Sequence, residues 1–386
     1  MKVLYILSPN DRFNYGDLLF PYIVRHYLGN SFDKIVFCST TVSDLSHVGG
    51  IPTNNFSTLF HAKKNNDNYL IVAGGDALCI DWETILSFVD KKSTYVYAID
   101  AKLKTSIFSK YYRLIEHHAT TRFPFSIGKN ELSNFSGVLY NSLGGSALIK
   151  NEELLDNNDI RTLLKSVDYI SVRDFATHNL LTKKGIKSNI FPDSAILMSE
   201  VFQESFLLLN ISDGTRQIAR NKYVFFQINY EYGKDKESFF SELLYALTLK
   251  GLHICLCPIG IAPGHSDQKP LTTIYNLLKD PNVSFIENPN IWDIMWLIKH
   301  AEIYIGTSLH GTITAMSFNT KFAVHGPDKL RNYLQTWGGC DFFSNDNIRE
   351  IINIVLNDKL TFHANTQKEA VKTSFSRMES IINNNA

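Results

Sequence analysis

His310 is the side chain in this sequence best placed to move a proton. It lies in Gly306-Thr307-Ser308-Leu309-His310-Gly311-Thr312, where an apolar run ends, a hydroxyl residue stands in a capping position and a helical stretch begins. A helix N-terminus favours a neutral ring, and a neutral imidazole serves as a general base that later returns the proton. The same turn, with Thr307, Ser308, Leu309 and Gly311, offers backbone N–H groups to an anion.

Two earlier turns have related chemistry. Asn14-Tyr15-Gly16-Asp17 follows the first apolar run. There Gly16 permits close backbone approach, and Asp17 either caps a helix or accepts a hydrogen bond from a ligand hydroxyl. Ala73-Gly74-Gly75-Asp76 ends another apolar run, and its paired glycines allow a phosphate or a sugar near the main chain. Asn141-Ser142-Leu143-Gly144-Gly145-Ser146 repeats the idea.

The elements that must hold these turns alternate. Strands are expected at Lys2–Leu7, Ile35–Cys38, Tyr69–Ala73, Thr94–Ile99, Gly137–Leu143 and Tyr169–Val172, with helical stretches between them. The rhythm pauses over residues 200–221 and restarts at Tyr223–Ile228, Ile254–Pro258, Val283–Ile286, Ile303–Gly306 and Phe322–His325. Buried strands alternating with helices predict parallel sheets covered on both faces, in an α/β fold of two doubly wound halves. The expected units are residues 1–205, residues 206–360, and a C-terminal helix with a fraying tail over 361–386. In such sheets ligands bind beyond the carboxyl ends of the strands, where all three turns fall.

A chain of 386 residues, 44% of them hydrophobic, can bury two cores. Its 38 basic and 38 acidic side chains cancel, so no global field attracts nucleic acid, and an anionic ligand needs a local cluster. The five cysteines lack Cys-x-x-Cys spacing and read as buried free thiols in a reducing compartment. No apolar run reaches membrane-spanning length, so a cytoplasmic protein is expected, peripheral at the inner face of a membrane at most. The histidines form no ligand-spaced cluster, so no metal site is expected.

Taken in order, these turns resemble the polysaccharide pyruvyltransferase family. The resemblance rests on Asn14-Tyr15-Gly16-Asp17, Gly74-Gly75-Asp76, Ser171-Val172-Arg173-Asp174, Pro192-Asp193, Leu309-His310-Gly311 and Lys329, and it spans roughly residues 1–340. It implies two Rossmann-like domains facing across a cleft, the GT-B arrangement. It also implies transfer of a pyruvyl group from phosphoenolpyruvate to a sugar, closing a ketal across two hydroxyls, with no cofactor beyond the donor substrate. On this resemblance Arg173 and Lys329 hold the donor's phosphate and carboxylate and His310 is the acid/base. Thr307, Ser308, Leu309 and Gly311 lie on the donor side; Asn14, Gly16, Asp17, Gly74, Gly75 and Asp76 lie on the acceptor side. The implied partners are phosphoenolpyruvate and a saccharide acceptor of a surface polysaccharide, capsule or cell-wall precursor.

Two positions depart from the family pattern: Ser308 stands where many members have arginine, and Ala73 where many have glycine. They keep two rivals open, a GT-B glycosyltransferase with a nucleotide-sugar donor and a non-catalytic sugar-binding subunit. Lys321, His325 and Arg331 are reserve cations. Trp82, Tyr230, Tyr232 and Trp337 are candidate sugar platforms, and Asp193 reads as a cap for the turn after it. The acceptor's attachment to a lipid and the formation of a homo-oligomer are left open.

Overall fold

Apolar runs broken by glycine and hydroxyl turns become two parallel sheets in the computed structural model, which describes residues 1–117, 121–263, 265–344, 347–357 and 360–384. The first sheet holds β1 (Lys2–Leu7), β2 (Lys34–Ser39), β3 (Asn54–Asn55), β4 (Asp67–Ala73), β5 (Gly137–Leu143), β6 (Tyr169–Val172) and β7 (Asn189–Ile190). Their order is β3-β2-β1-β4-β5-β6-β7, with every neighbouring pair parallel. The second holds β8 (Tyr223–Phe226), β9 (His253–Leu256), β12 (Val283–Phe285), β13 (Ile303–Gly306) and β14 (Phe322–Val324), in the order β12-β9-β8-β13-β14, again all parallel. A short antiparallel pair, β10 (Ile261–Ala262) with β11 (His265–Ser266), follows β9.

The period-two geometry of β1 splits its side chains between two cores. Val3, Tyr5 and Leu7 face Trp82, Phe125 and Tyr140. Leu4 and Ile6 face Leu18, Phe20 and Ile23, in a core that continues into Phe225, Leu256 and Ile305 of the second sheet. The halves are thus joined through apolar packing. The C-terminal helix Asn365–Asn384 ties them further by returning to the first sheet. Tyr69 donates to the Ile382 carbonyl at 3.0 Å, and Phe375 stacks on Tyr27 with ring centroids 4.8 Å apart. That helix includes Asn383 and Asn384, and the last two residues of the tail expected to fray lie outside the described residues.

Two expectations fail. Thr94–Ile99 is not a strand but part of the helix Lys91–Leu103. The Asp90 side chain accepts from Ser93 N–H at 2.9 Å and starts the helix, overriding the β-branched and aromatic composition of the segment. Among the cysteines, Cys38, Cys79, Cys255 and Cys257 are buried free thiols, but Cys340 is exposed.

Candidate functional site

Each sheet reverses its winding once. In the first, β1 leads outward to β2 and β3 before the chain returns to place β4 on the other side of β1. In the second, β8 leads to β9 and β12 before β13 pairs on its other side. Such reversal points open a crevice beyond the strand ends. Here the two crevices face each other and form one cavity of about 280 Å³. Its lining includes Pro9, Arg12, Asn14, Asp17 and Asp76 from the first reversal, and Gln227, Asn229, Thr307, Ser308, Leu309 and His310 from the second. Arg173, Asp267 and Lys329 complete its charged lining. The turns after β1 and β9 clasp across it: Tyr15 N–H donates to the Ile259 carbonyl at 3.1 Å and Ile261 N–H to that of Phe13 at 3.2 Å.

His310 lies in the first turn of the helix Leu309–Phe318, where the Ser308 hydroxyl caps by accepting from Gly311 N–H at 3.2 Å. The ring is held from three sides. Phe20 meets it edge-on, with centroids 5.4 Å apart and planes at 75°. Gly16 lies against it so closely that a β-carbon there would fall 1.9 Å from Nδ1. Asp193 Oδ2 stands 3.6 Å from Nε2.

Asp193 is more than the expected cap. It accepts from Ala195 N–H at 3.0 Å, and it also accepts from Arg173 Nη1 at 2.9 Å in full burial. Arg173 projects from the end of β6 past Gly144, where a β-carbon would collide with its guanidinium at 2.6 Å. Its other branch points to Asp76, with Nη2 3.9 Å from Oδ1. Burial opposes the charge on Arg173, but Asp76 and Asp193 outweigh it and hold its pKa above the ordinary value. Burial also opposes ionisation of Asp193, yet the neighbouring His310 and Arg173 keep its pKa below the ordinary value. Asp76 is likewise low: Arg173, Lys329 and the Ser146 N–H overcome its burial. Asp174, the next residue, caps the following helix by accepting from Thr177 N–H at 2.8 Å.

The remaining two carboxyls behave oppositely. Burial raises the pKa of Asp17 despite the pull of His310, Arg12, Lys329 and Arg173. Burial pushes Asp267 up to about 6, although Gln227 Nε2 and the Ile259 and Gly260 N–H groups donate to its Oδ2 at 2.9–3.1 Å. Gln227 spans both sides of the second crevice, because its Oε1 accepts from Thr307 and Ser308 N–H at 3.1 Å each. Those amides, offered to a ligand on sequence grounds, are engaged within the protein.

Of the residues singled out from sequence, Asn14, Asp17, Asp76, Arg173, Thr307, Ser308, Leu309, His310 and Lys329 line the cavity. Gly16, Gly74, Gly75 and Gly311 stand behind it as space-makers. Gly74 has φ of 64° and faces the Phe20 ring, Gly75 has φ of 81° beside Asp17, and Gly311 faces the Tyr304 hydroxyl. The reserve cations are engaged elsewhere: Lys321 donates to the Val355 carbonyl, His325 stacks on Phe240 and Arg331 lies over Phe343. None of the candidate sugar platforms lines the cavity. Trp82 is fully buried, and Trp337 donates to the Arg173 carbonyl at 2.8 Å, bracing the end of β6. The sequence reading missed Arg12, Gln227 and Asp267. Their signal was position: Arg12 and Asp267 lie in the segments after predicted strands, and Gln227 lies at the end of the predicted strand Tyr223–Ile228. Among the described residues no cluster of three or more His, Cys, Asp or Glu side chains could hold a metal ion.

Two parallel α/β sheets whose reversal points share one cleft define a two-domain protein of the GT-B kind. The fold is shared with UDP-GlcNAc 2-epimerases. These include those of Methanocaldococcus jannaschii (TM-score 0.56, 12% identity, covering 98% of this chain and 100% of that one) and Rickettsia bellii (0.56, 11%, 99% and 97%). A putative enzyme of this type from Listeria monocytogenes is also similar (0.58, 10%, 98% and 96%). At such identity the likeness is one of fold alone. No curated protein matches the chain in sequence. The polysaccharide pyruvyl transferase family matches residues 14–328, and the chain belongs to that family.

Proposed function

We propose that the chain transfers the pyruvyl group of phosphoenolpyruvate to two hydroxyls of a saccharide destined for a surface polysaccharide or cell-wall precursor. The observation that carries this reading is the convergence of Arg12, Arg173, Lys329 and His310 on one small cleft in a neutral chain. A donor with a phosphate and a carboxylate needs fixed cations, and guanidinium groups match both oxyanions in two-pronged fashion. Burial raises the pKa of both Asp17 and Asp267, which makes each easier to protonate as an anion enters and so lowers the repulsion it meets.

In this reading His310 takes the proton of an attacking sugar hydroxyl as its oxygen bonds to C2 of the donor. Asp193, facing Nε2, stabilises the imidazolium that forms. A proton is delivered to C3, turning the methylene into a methyl group; Asp267, a cleft carboxyl with a raised pKa, is the acid this reading assigns. A second hydroxyl then bonds to C2 as the C2–O bond to phosphate breaks, its proton leaving with the phosphate, while Arg173 and Lys329 balance the charge of the departing group.

Ligand binding by the purified chain tests the donor. Saturation-transfer NMR should detect phosphoenolpyruvate, and replacement of Lys329 should abolish the signal. Binding of a nucleotide-sugar with no phosphoenolpyruvate binding would establish glycosyl transfer instead.

A further inference from the structure

The helix Ile107–His117 is folded inside out. At about 100° per residue, Ile107, Phe108, Tyr111, Leu114 and Ile115 fall within one arc of roughly 120°. That arc faces away from the protein: Ile107 is 69% exposed, Phe108 52%, Tyr111 66%, Leu114 48% and Ile115 54%. The side that turns inward carries Ser109, whose N–H donates to the buried Asp100 carboxylate at 2.6 Å. The preceding helix Lys91–Leu103 presents Lys91, Tyr95, Ala98 and Lys102 on its outer side at helical spacing. The last residue of that helix, Leu103, and Lys104 after it are also exposed.

The charge on this hairpin is one-sided. Residues 91–117 carry six lysines and arginines, Lys91, Lys92, Lys102, Lys104, Lys110 and Arg113, against two carboxylates, Glu116 and the buried Asp100. A hollow beneath the hairpin sets Lys110, Arg113 and Arg122 against Asp81, Glu83 and Asp100 and so balances itself. Lys91, Lys102 and Lys104 are exposed on the same hairpin, and Lys92 lies over the Tyr112 ring, 4.9 Å from its centroid. A second copy of the chain on this face would bring like charges together. A bilayer with anionic headgroups would meet the lysines with opposite charge, accept the apolar arc and place the tyrosines at the interface.

We infer that the hairpin Lys91–His117 is a docking surface for an anionic membrane. The short helix Trp82–Leu86 lies between the hairpin and the cleft: its Glu83 lines the hollow beneath the hairpin and its Ile85 lines the cleft. Docking therefore brings the wall of the cleft formed by Ile80, Ile85 and Phe88 towards the headgroups, where a lipid-carried saccharide would be presented. This last consequence rests on the pyruvyl-transfer reading. The docking does not, and it is measured without turnover.

The test is co-sedimentation of the full chain with vesicles of phosphatidylcholine alone and of equal parts phosphatidylcholine and phosphatidylglycerol. Binding should be at least about tenfold stronger to the anionic vesicles and should weaken as salt is raised. Combined Ile107→Asp and Tyr111→Asp substitutions should remove it, and Lys102→Glu with Lys104→Glu should weaken it about tenfold, with melting temperature and ligand binding in the cleft unchanged. Absence of binding to anionic vesicles would overturn the inference. So would binding that ignores both sets of substitutions, or dimerisation of the chain through this face in place of vesicle binding.

Discussion

Gly16 and His310, almost three hundred residues apart in sequence, are in van der Waals contact, and the glycine leaves the imidazole its place. A β-carbon on Gly16 would overlap the ring, 1.9 Å from Nδ1 and 2.0 Å from Cγ. Phe20 and Asp193 hold the ring from other directions, so it has little freedom to yield. The account predicts that Gly16→Ala costs about 1–3 kcal/mol of stability by overpacking and leaves a folded chain. Turnover should fall about a hundredfold or more, as expected when a proton-transfer group is misplaced. Kinetics and a denaturation curve on the same variant check both.

Asp193 should matter for stability as much as for activity. It is the near partner of Arg173, a guanidinium 2% exposed, and it faces His310. Removing one member of a buried pair strands the other, at a cost of about 3–5 kcal/mol. Asp193→Ala should show this as a lower urea midpoint together with loss of turnover. A variant as stable as the parent would show that Arg173 is satisfied by Asp76.

Asp267 should reveal itself through pH. Its carboxyl is raised from 3.8 to about 6 by burial, so the stability it contributes is complete below about pH 4 and is lost as pH rises through about 6. The ionised form costs up to roughly 3 kcal/mol above that range. Asp267→Asn keeps an acceptor for Gln227 and the two backbone amides but cannot ionise. Its melting temperature should match the parent at acid pH and gain on it between about pH 4 and pH 7. Asp193 and Asp76 have lowered pKa values, so their contribution has the opposite sign and is lost only on strong acidification. If Asp267 also supplies the proton to C3, the variant's kcat should fall about a hundredfold or more with KM for the donor little changed.

The scaffold was legible because buried parallel strands read as continuous apolar runs, and most of the runs named from sequence are strands in the sheets. The exception, Thr94–Ile99, shows a helix cap at Asp90 prevailing over β-prone residues. His310, Arg173 and Lys329 were found through motifs that sit at strand ends. Arg12, Gln227 and Asp267 were not, because each looks ordinary in sequence. Arg12 follows Asp11 as one half of a surface-like pair, and Asp267 reads as a helix-start aspartate. Only the facing of the two reversal points makes them neighbours. Nothing in local sequence distinguishes Trp82 in the core from a tryptophan in a sugar site.

Arg12 adds a cation to the cleft opposite the second domain. Its Nη1 donates to the Ile85 carbonyl at 2.8 Å and its Nη2 lies 2.8 Å from Asp11, while Nε has no hydrogen-bond partner among the described residues. Arg12→Lys keeps the charge but removes the fork. It should weaken phosphoenolpyruvate binding by about tenfold or more, measured by calorimetric titration. Unchanged affinity would assign Arg12 to holding the Asp11 turn alone.

The central claim is that this cleft builds a pyruvate ketal. The most direct measurement supplies the chain with phosphoenolpyruvate isotopically labelled at C2 and a set of saccharide acceptors, and follows the label by NMR. The account predicts acceptor-dependent phosphate release and a new quaternary ketal carbon, both lost in a folded His310→Gln variant. Phosphoenolpyruvate left intact with every acceptor, or ketal formation undiminished in that variant, would contradict it.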